Sequence, residues 1–194
     1  MVYENLVSTT FKSKVQQIAS DLNMKPDWLM VVMYFETAKT FSPKIRNGSA
    51  VGLIQFTPVA IAEMNRRYSL NITTNYLASI SAIDQLDFVR LYFKMYPYNY
   101  QSVGDVYIAT FNPANLGKPD NYVLYSKGQG GYESNKALDF NNDGVITISD
   151  IKSKIGSYYL EPENTGFYVF IIIFFIAITL LIIYKYGKRN RNTY

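Results

Sequence analysis

The feature that most constrains this chain is an apolar run ending on an acid. Trp28-Leu29-Met30-Val31-Val32-Met33-Tyr34-Phe35 is followed directly by Glu36. A helix apolar nearly all round must lie in the centre of a core. Pro26 suits its first turn, and the predicted helix runs to about Ala38. Glu36 then sits where a buried helix meets a polar loop. Desolvation disfavours a charged carboxylate and raises its pKa, so this acid is expected to hold its proton near neutral pH.

The side chains available narrow the chemistry. The 194 residues include no Cys and no His. That excludes thiol nucleophiles, Ser-His triads and zinc sites built on Cys or His. Acid/base work falls to Asp, Glu, Lys or Tyr. The formal charge of +4 is a property of the C-terminus. Lys185, Lys188, Arg189 and Arg191 follow Tyr184 with no acid among them, and the rest of the chain carries 15 bases and 15 acids. This distribution argues against a nucleic-acid-binding face.

Along the chain, Thr10 is the expected cap of a helix presenting Phe11, Val15, Ile18, Ala19 and Leu22 at helical spacing. Thr57-Pro58 opens a short helix through Met64. Ser81 and Asp84 resemble a capping box ahead of Ile83, Leu86, Val89 and Phe93. Ser102 to Phe111 forms a further helix, stopped by Pro113. No period-2 strand is expected before residue 120, so the domain is mainly α. Tyr96, Tyr98 and Tyr100 alternate, as groove packing or as a surface for stacking sugars. Residues 1–10 contain no apolar core of a secretory signal.

Asp139-Phe140-Asn141-Asn142-Asp143-Gly144 fits the opening of a calcium loop. Its ligands would be Asp139, Asn141, Asp143, the Val145 carbonyl, Thr147 and Asp150. Asp150 is shorter than the Glu usual at the last position, which points to a structural or low-affinity Ca2+ site. The alternative is a turn that binds nothing. Residues 161–166 read as a hinge. Residues 167–184, FYVFIIIFFIAITLLIIY, are long and apolar enough to be a transmembrane helix, and the basic tail, 185–194, is expected on the cytoplasmic side.

Two segments and a third short one resemble the soluble lytic transglycosylase and goose-type lysozyme superfamily. Glu36-Thr37 with Phe41 and Pro43 resembles its E-[ST]-x-x-x-F-x-P segment. Ser49-Ala50-Val51-Gly52-Leu53-Ile54-Gln55-Phe56 resembles the motif around G-L-M-Q. Ala109-Thr110-Phe111-Asn112 stands where the superfamily has A-A-Y-N. A phage-associated branch is the most similar, with the Gln85-Leu86-Asp87 helix, the Gly117-Lys118-Pro119 turn, the Tyr132…Asn135 segment and a D-x-N-x-D-G loop. Similarity covers about residues 15–155.

The resemblance implies a lysozyme-like helical domain over 1–125, then an EF-hand-like segment over 126–160. It implies a peptidoglycan-cleaving lytic transglycosylase with Glu36 as the sole acid/base, the muramic 6-hydroxyl acting as nucleophile; hydrolysis stays open. Ser49, Gly52, Gln55, Phe56, Tyr107, Phe111 and Asn112 would shape the substrate cleft. Phe111 lacks the family hydroxyl, so Tyr107, Tyr34 or backbone groups would orient Glu36. The expected setting is a single-pass protein of a virion membrane or host envelope, with other virion proteins as partners. The rival classes are an inactive peptidoglycan-binding or virion structural protein and a holin-like permeabiliser.

Overall fold

A computed structural model describes residues 1–159, which form one compact unit. Eight helices are described: α1 (Thr9–Asp21), α2 (Pro26–Glu36), α3 (Pro58–Tyr68), α4 (Thr74–Ser79), α5 (Ala82–Lys94), α6 (Val103–Phe111), α7 (Tyr132–Asn135) and α8 (Ile148–Gly156). Two small antiparallel pairs accompany them. β1 (Arg46–Asn47) pairs with β2 (Ala50–Val51), and β3 (Val123–Ser126) pairs with β4 (Val145–Thr147).

Helix α2 is the centre. Leu29, Met30, Val31, Val32 and Met33 are fully buried, as a run without a polar face requires. It packs on α1 and α6, and α6 in turn packs on α8. That last contact is close. A Cβ on Gly104 of α6 would lie 2.4 Å from the Lys152 side chain of α8. Lys152 then reaches past the interface to Asp120 at 2.9 Å and Asp105 at 3.5 Å.

Most helix starts follow their caps. Thr57, Ser81 and Ser102 each accept a backbone N–H three residues on, satisfying an otherwise orphan donor. The cap of α1 is Ser8, whose Oγ accepts from Phe11 N at 3.2 Å; the expected Thr10 lies inside the helix. Helix α4 and the β1–β2 hairpin lie in stretches too short to show a period. Helix α3 continues past Met64 to Tyr68.

The expected single-pass membrane architecture, and the localisation built on it, are corrected. Among the described residues no helix is long and apolar enough to cross a membrane. The longest described helices, α1 and α5, have 13 residues, which is about 20 Å against a hydrocarbon core of about 30 Å. The hinge at 161–166, the span at 167–184 and the basic tail at 185–194 lie outside the described residues. The described fold is a mainly helical domain.

One buried amide holds the loop between α2 and α3. Gln85 on α5 is fully buried. Its Oε1 accepts from Leu53 N at 2.6 Å, and its Nε2 donates to Leu77 O at 2.9 Å and Pro43 O at 3.2 Å. Gly52, with φ +81, lies against it, and a Cβ there would meet Oε1 at 2.2 Å. Gln85→Leu leaves three backbone groups without partners. It should cost about 3 kcal/mol or more in urea unfolding. Gly52→Ala should cost about 2 kcal/mol through its left-handed φ and the steric conflict with Gln85.

Candidate active site

Glu36 is the last residue of α2. The chain turns away from it sharply, with Ala38, Lys39 and Phe41 all at positive φ. Thr37, fully buried, braces this turn. Its Oγ1 donates to Met33 O at 2.6 Å and accepts from Phe41 N at 2.9 Å. The backbone is strained for non-glycine residues, so the Thr37 hydroxyl is part of what keeps Glu36 at the helix end.

The carboxyl of Glu36 lines a cavity of about 320 Å³. Phe35, Ile54, Gln55, Tyr107, Thr110 and Phe111 share one part of the lining, with Asn47, Ala50 and Thr57 from the hairpin side. Ser134, Asn135, Ala137 and Leu138 supply the remainder. Among the described residues, Glu36 is the one Asp or Glu in this lining, and no Lys or Arg is present. Part of the Glu36 side chain still meets solvent through the cavity, but the surrounding protein is dense. Burial raises the carboxyl pKa to about 7, and a hydrogen bond from Tyr107 works in the opposite direction.

Tyr107 is buried at 4% exposure. Burial, then the charge and hydrogen bonding of Glu36, hold its phenol pKa well above the usual value, so it stays a neutral donor. Its ring stacks on Phe111 with centroids 5.9 Å apart and planes 6° from parallel. It also meets Phe35 edge-on at 5.3 Å. Of the sources considered for a hydroxyl in place of the one Phe111 lacks, Tyr107 is the residue on Glu36. Tyr34 stacks on Tyr3 at 3.8 Å instead. Helix α6, which carries Tyr107 and Phe111, is tied by Tyr92, whose hydroxyl donates to Ala109 O at 2.8 Å.

Gln55 has φ +49 and lines the cavity. Its Nε2 donates to Gly52 O at 3.0 Å and Ile45 O at 3.2 Å, which fixes the amide. Its Oε1 is buried with no hydrogen-bond partner. A buried acceptor left without a partner costs stability.

The other expected cleft residues sit elsewhere. Ser49 is exposed at the β1–β2 turn, and Gly52 is buried behind the loop. Phe56 is 1% exposed and meets Tyr92 edge-on in the core. Asn112 caps the end of α6 outside the lining. The residues missed from the sequence are chiefly those of 134–138. They follow an irregular glycine-containing stretch and show no period.

The loop 139–150 is closed by its own donors. Asp139 Oδ2 accepts from Tyr132 Oη at 2.6 Å and from Gly144 N at 2.9 Å. The Tyr132 hydrogen bond leads in lowering the Asp139 pKa. Asn141 Oδ1 accepts from Asp143 N, and Asp143 Oδ1 from Val145 N. Asp150 and Thr147 form the capping box of α8, so Asp150 is turned onto Thr147. No group of three or more His, Cys, Asp or Glu side chains that could hold a metal ion is gathered among the described residues.

No protein-family model, curated protein or solved structure matches the chain.

The raised pKa has a consequence for stability. Glu36 prefers its proton in the folded state, so no penalty exists well below the usual carboxyl pKa. The penalty grows as pH rises from there to about 7 and is constant above. Glu36→Gln removes it. The variant should be more stable than the parent by on the order of 3 kcal/mol at pH 8 and equal to it near pH 4. Urea unfolding at the two pH values measures this, and a pH-independent difference would contradict the assigned burial.

Proposed function

We propose that this chain cleaves peptidoglycan as a lytic transglycosylase, with Glu36 as its acid/base. The supporting observation is a carboxyl with a pKa of about 7 in a cavity whose lining, among the described residues, holds no second acid. The resemblance around Glu36, Gln55 and Phe111 points the same way. Glycosidases that use two carboxylates need them about 5 to 9.5 Å apart on either side of the scissile bond. A lone acid suits a reaction whose nucleophile belongs to the substrate.

Protonated Glu36 donates to the glycosidic oxygen between N-acetylmuramic acid and N-acetylglucosamine. The C1–O bond breaks and the glucosamine leaves with a 4-hydroxyl. The muramic 6-hydroxyl attacks C1 and gives its proton to the Glu36 carboxylate. The product is a 1,6-anhydro sugar, and Glu36 is protonated again. Tyr107 orients the carboxyl through its hydroxyl, and Gln55, its amide fixed on Gly52 and Ile45, shapes the cleft beside it. Neutral amides and hydroxyls make up the rest of the polar lining, which suits a glycan.

Clearing of purified cell walls by the full chain tests the reading, with mass spectrometry of the soluble products. Anhydro ends are expected; reducing ends would place the reaction with hydrolytic lysozymes instead. Glu36→Gln should lower the rate by roughly 100- to 10,000-fold, the range for losing general acid–base catalysis. A wild-type chain that leaves walls intact, or an active Glu36→Gln, would defeat it.

The pH profile gives an independent check. Activity that needs protonated Glu36 falls as pH passes about 7. Tyr107 lowers this pKa through its hydrogen bond, so Tyr107→Phe should shift the alkaline limb to higher pH. A shift in the acid direction would contradict the assigned contact.

A further inference from the structure

The cavity wall at 134–138 belongs to elements too short to hold themselves. Helix α7 has four residues, and the 3-10 turn Lys136–Leu138 has three. Isolated helices of this length are not stable in water. Both ends of the wall meet at one carboxylate. Tyr132 at its start donates to Asp139 Oδ2 at 2.6 Å, and Asp139 follows Leu138 directly. Gly144 N and Asp143 N bind the same carboxylate at 2.9 and 3.2 Å.

The start of the wall is fixed a second way. Gly131 has φ +94, and a Cβ there would lie 2.5 Å from the Tyr125 ring. Tyr125 itself meets Phe111, a residue of the lining, edge-on at 6.5 Å. Asn135 Nδ2 donates to Gly131 O at 2.8 Å, which orients a side chain that lines the cavity. Neither Tyr132 nor Asp139 touches the cavity itself.

We infer that Tyr132 and Asp139 are a positioning pair: their hydrogen bond latches the 134–138 wall across the cavity from Glu36 and thereby sets affinity for the glycan. The role in binding rests on the saccharide reading above; the latch itself does not. Glu36 and Tyr107 stand on α2 and α6, which the pair does not hold. Loss of the latch therefore weakens binding and leaves the chemical step.

Tyr132→Phe in the full chain removes one hydroxyl. Hydrogen exchange should show faster exchange at amides 133–138 and unchanged protection in α2. Calorimetry with a peptidoglycan-derived tetrasaccharide, in a Glu36→Gln background that prevents turnover, should show affinity lower by about tenfold, the size of one charge-assisted hydrogen bond. KM should rise in parallel, with kcat and the pH limb near 7 unchanged. Asp139→Asn, which keeps an oxygen acceptor, should fall between wild type and Tyr132→Phe. Unchanged exchange at 133–138 would overturn the latch whatever the ligand does. Faster exchange with unchanged affinity would overturn its role in the cleft. Absence of tetrasaccharide binding in the Glu36→Gln parent, with the exchange change present, would overturn the saccharide reading and this binding role while leaving the latch standing.

Discussion

A buried carboxamide carries the loop that faces Glu36. The segment from Pro43 to Phe56 contributes to the cavity lining and carries a two-residue strand pair and one bridge. Turn and bridge bonds such as Gly52 N to Ile45 O and Phe56 N to Val51 O satisfy part of its backbone, and a side chain supplies more. Gln85 uses both ends of its amide on Pro43, Leu53 and Leu77. Buried polar groups that are fully paired specify one arrangement. That arrangement places Gly52 beneath the loop and Gln55 at the cavity surface. Gln55 in turn spends its Nε2 on the same loop and keeps its Oε1 unpaired.

The electrostatics follow from what the chain lacks. With no imidazole or thiol, a group titrating near neutrality has to be made from a carboxyl by burial. Helix α2 does so by carrying Glu36 at the end of its buried run, Leu29 to Met33. The Tyr107 hydrogen bond moderates the effect. Without it the carboxyl would rise further and give up its proton less readily. The turn after Glu36 stores backbone strain at Ala38, Lys39 and Phe41, and Thr37 holds that strain in place through its two hydrogen bonds.

Local signals were the readable ones. The apolar run of α2, the prolines at the starts of α2 and α3, and the Ser and Thr caps of α3, α5 and α6 each act within four residues. The motifs name Glu36, Gln55 and Phe111, and these line one cavity together with Tyr107. What was not readable depends on partners far along the chain. Gln85 looks like a polar interruption of an apolar helix face until its partners 32 and 42 residues away are known. The partnership of Asp150 with Thr147 in the capping box of α8 is likewise seen only in the fold. Residues 134–138 have no period at all, because tertiary contacts shape them. Phe56 was misplaced for the opposite reason: its motif neighbours lie at the cavity while alternation turns its own ring into the core.

The late position of the 134–138 wall also orders events during synthesis. Helices α1 to α6 and Glu36 leave the ribosome before residue 112. The cavity gains its remaining wall only after another twenty-odd residues, and the carboxylate that fastens this wall is later still. Its donors at Asp143 and Gly144 come after that. Domains emerge vectorially and fold as their parts become available. A chain interrupted before residue 134 therefore carries the acid without the enclosure around it. The pocket around Glu36 is thus completed only by the last third of the described domain.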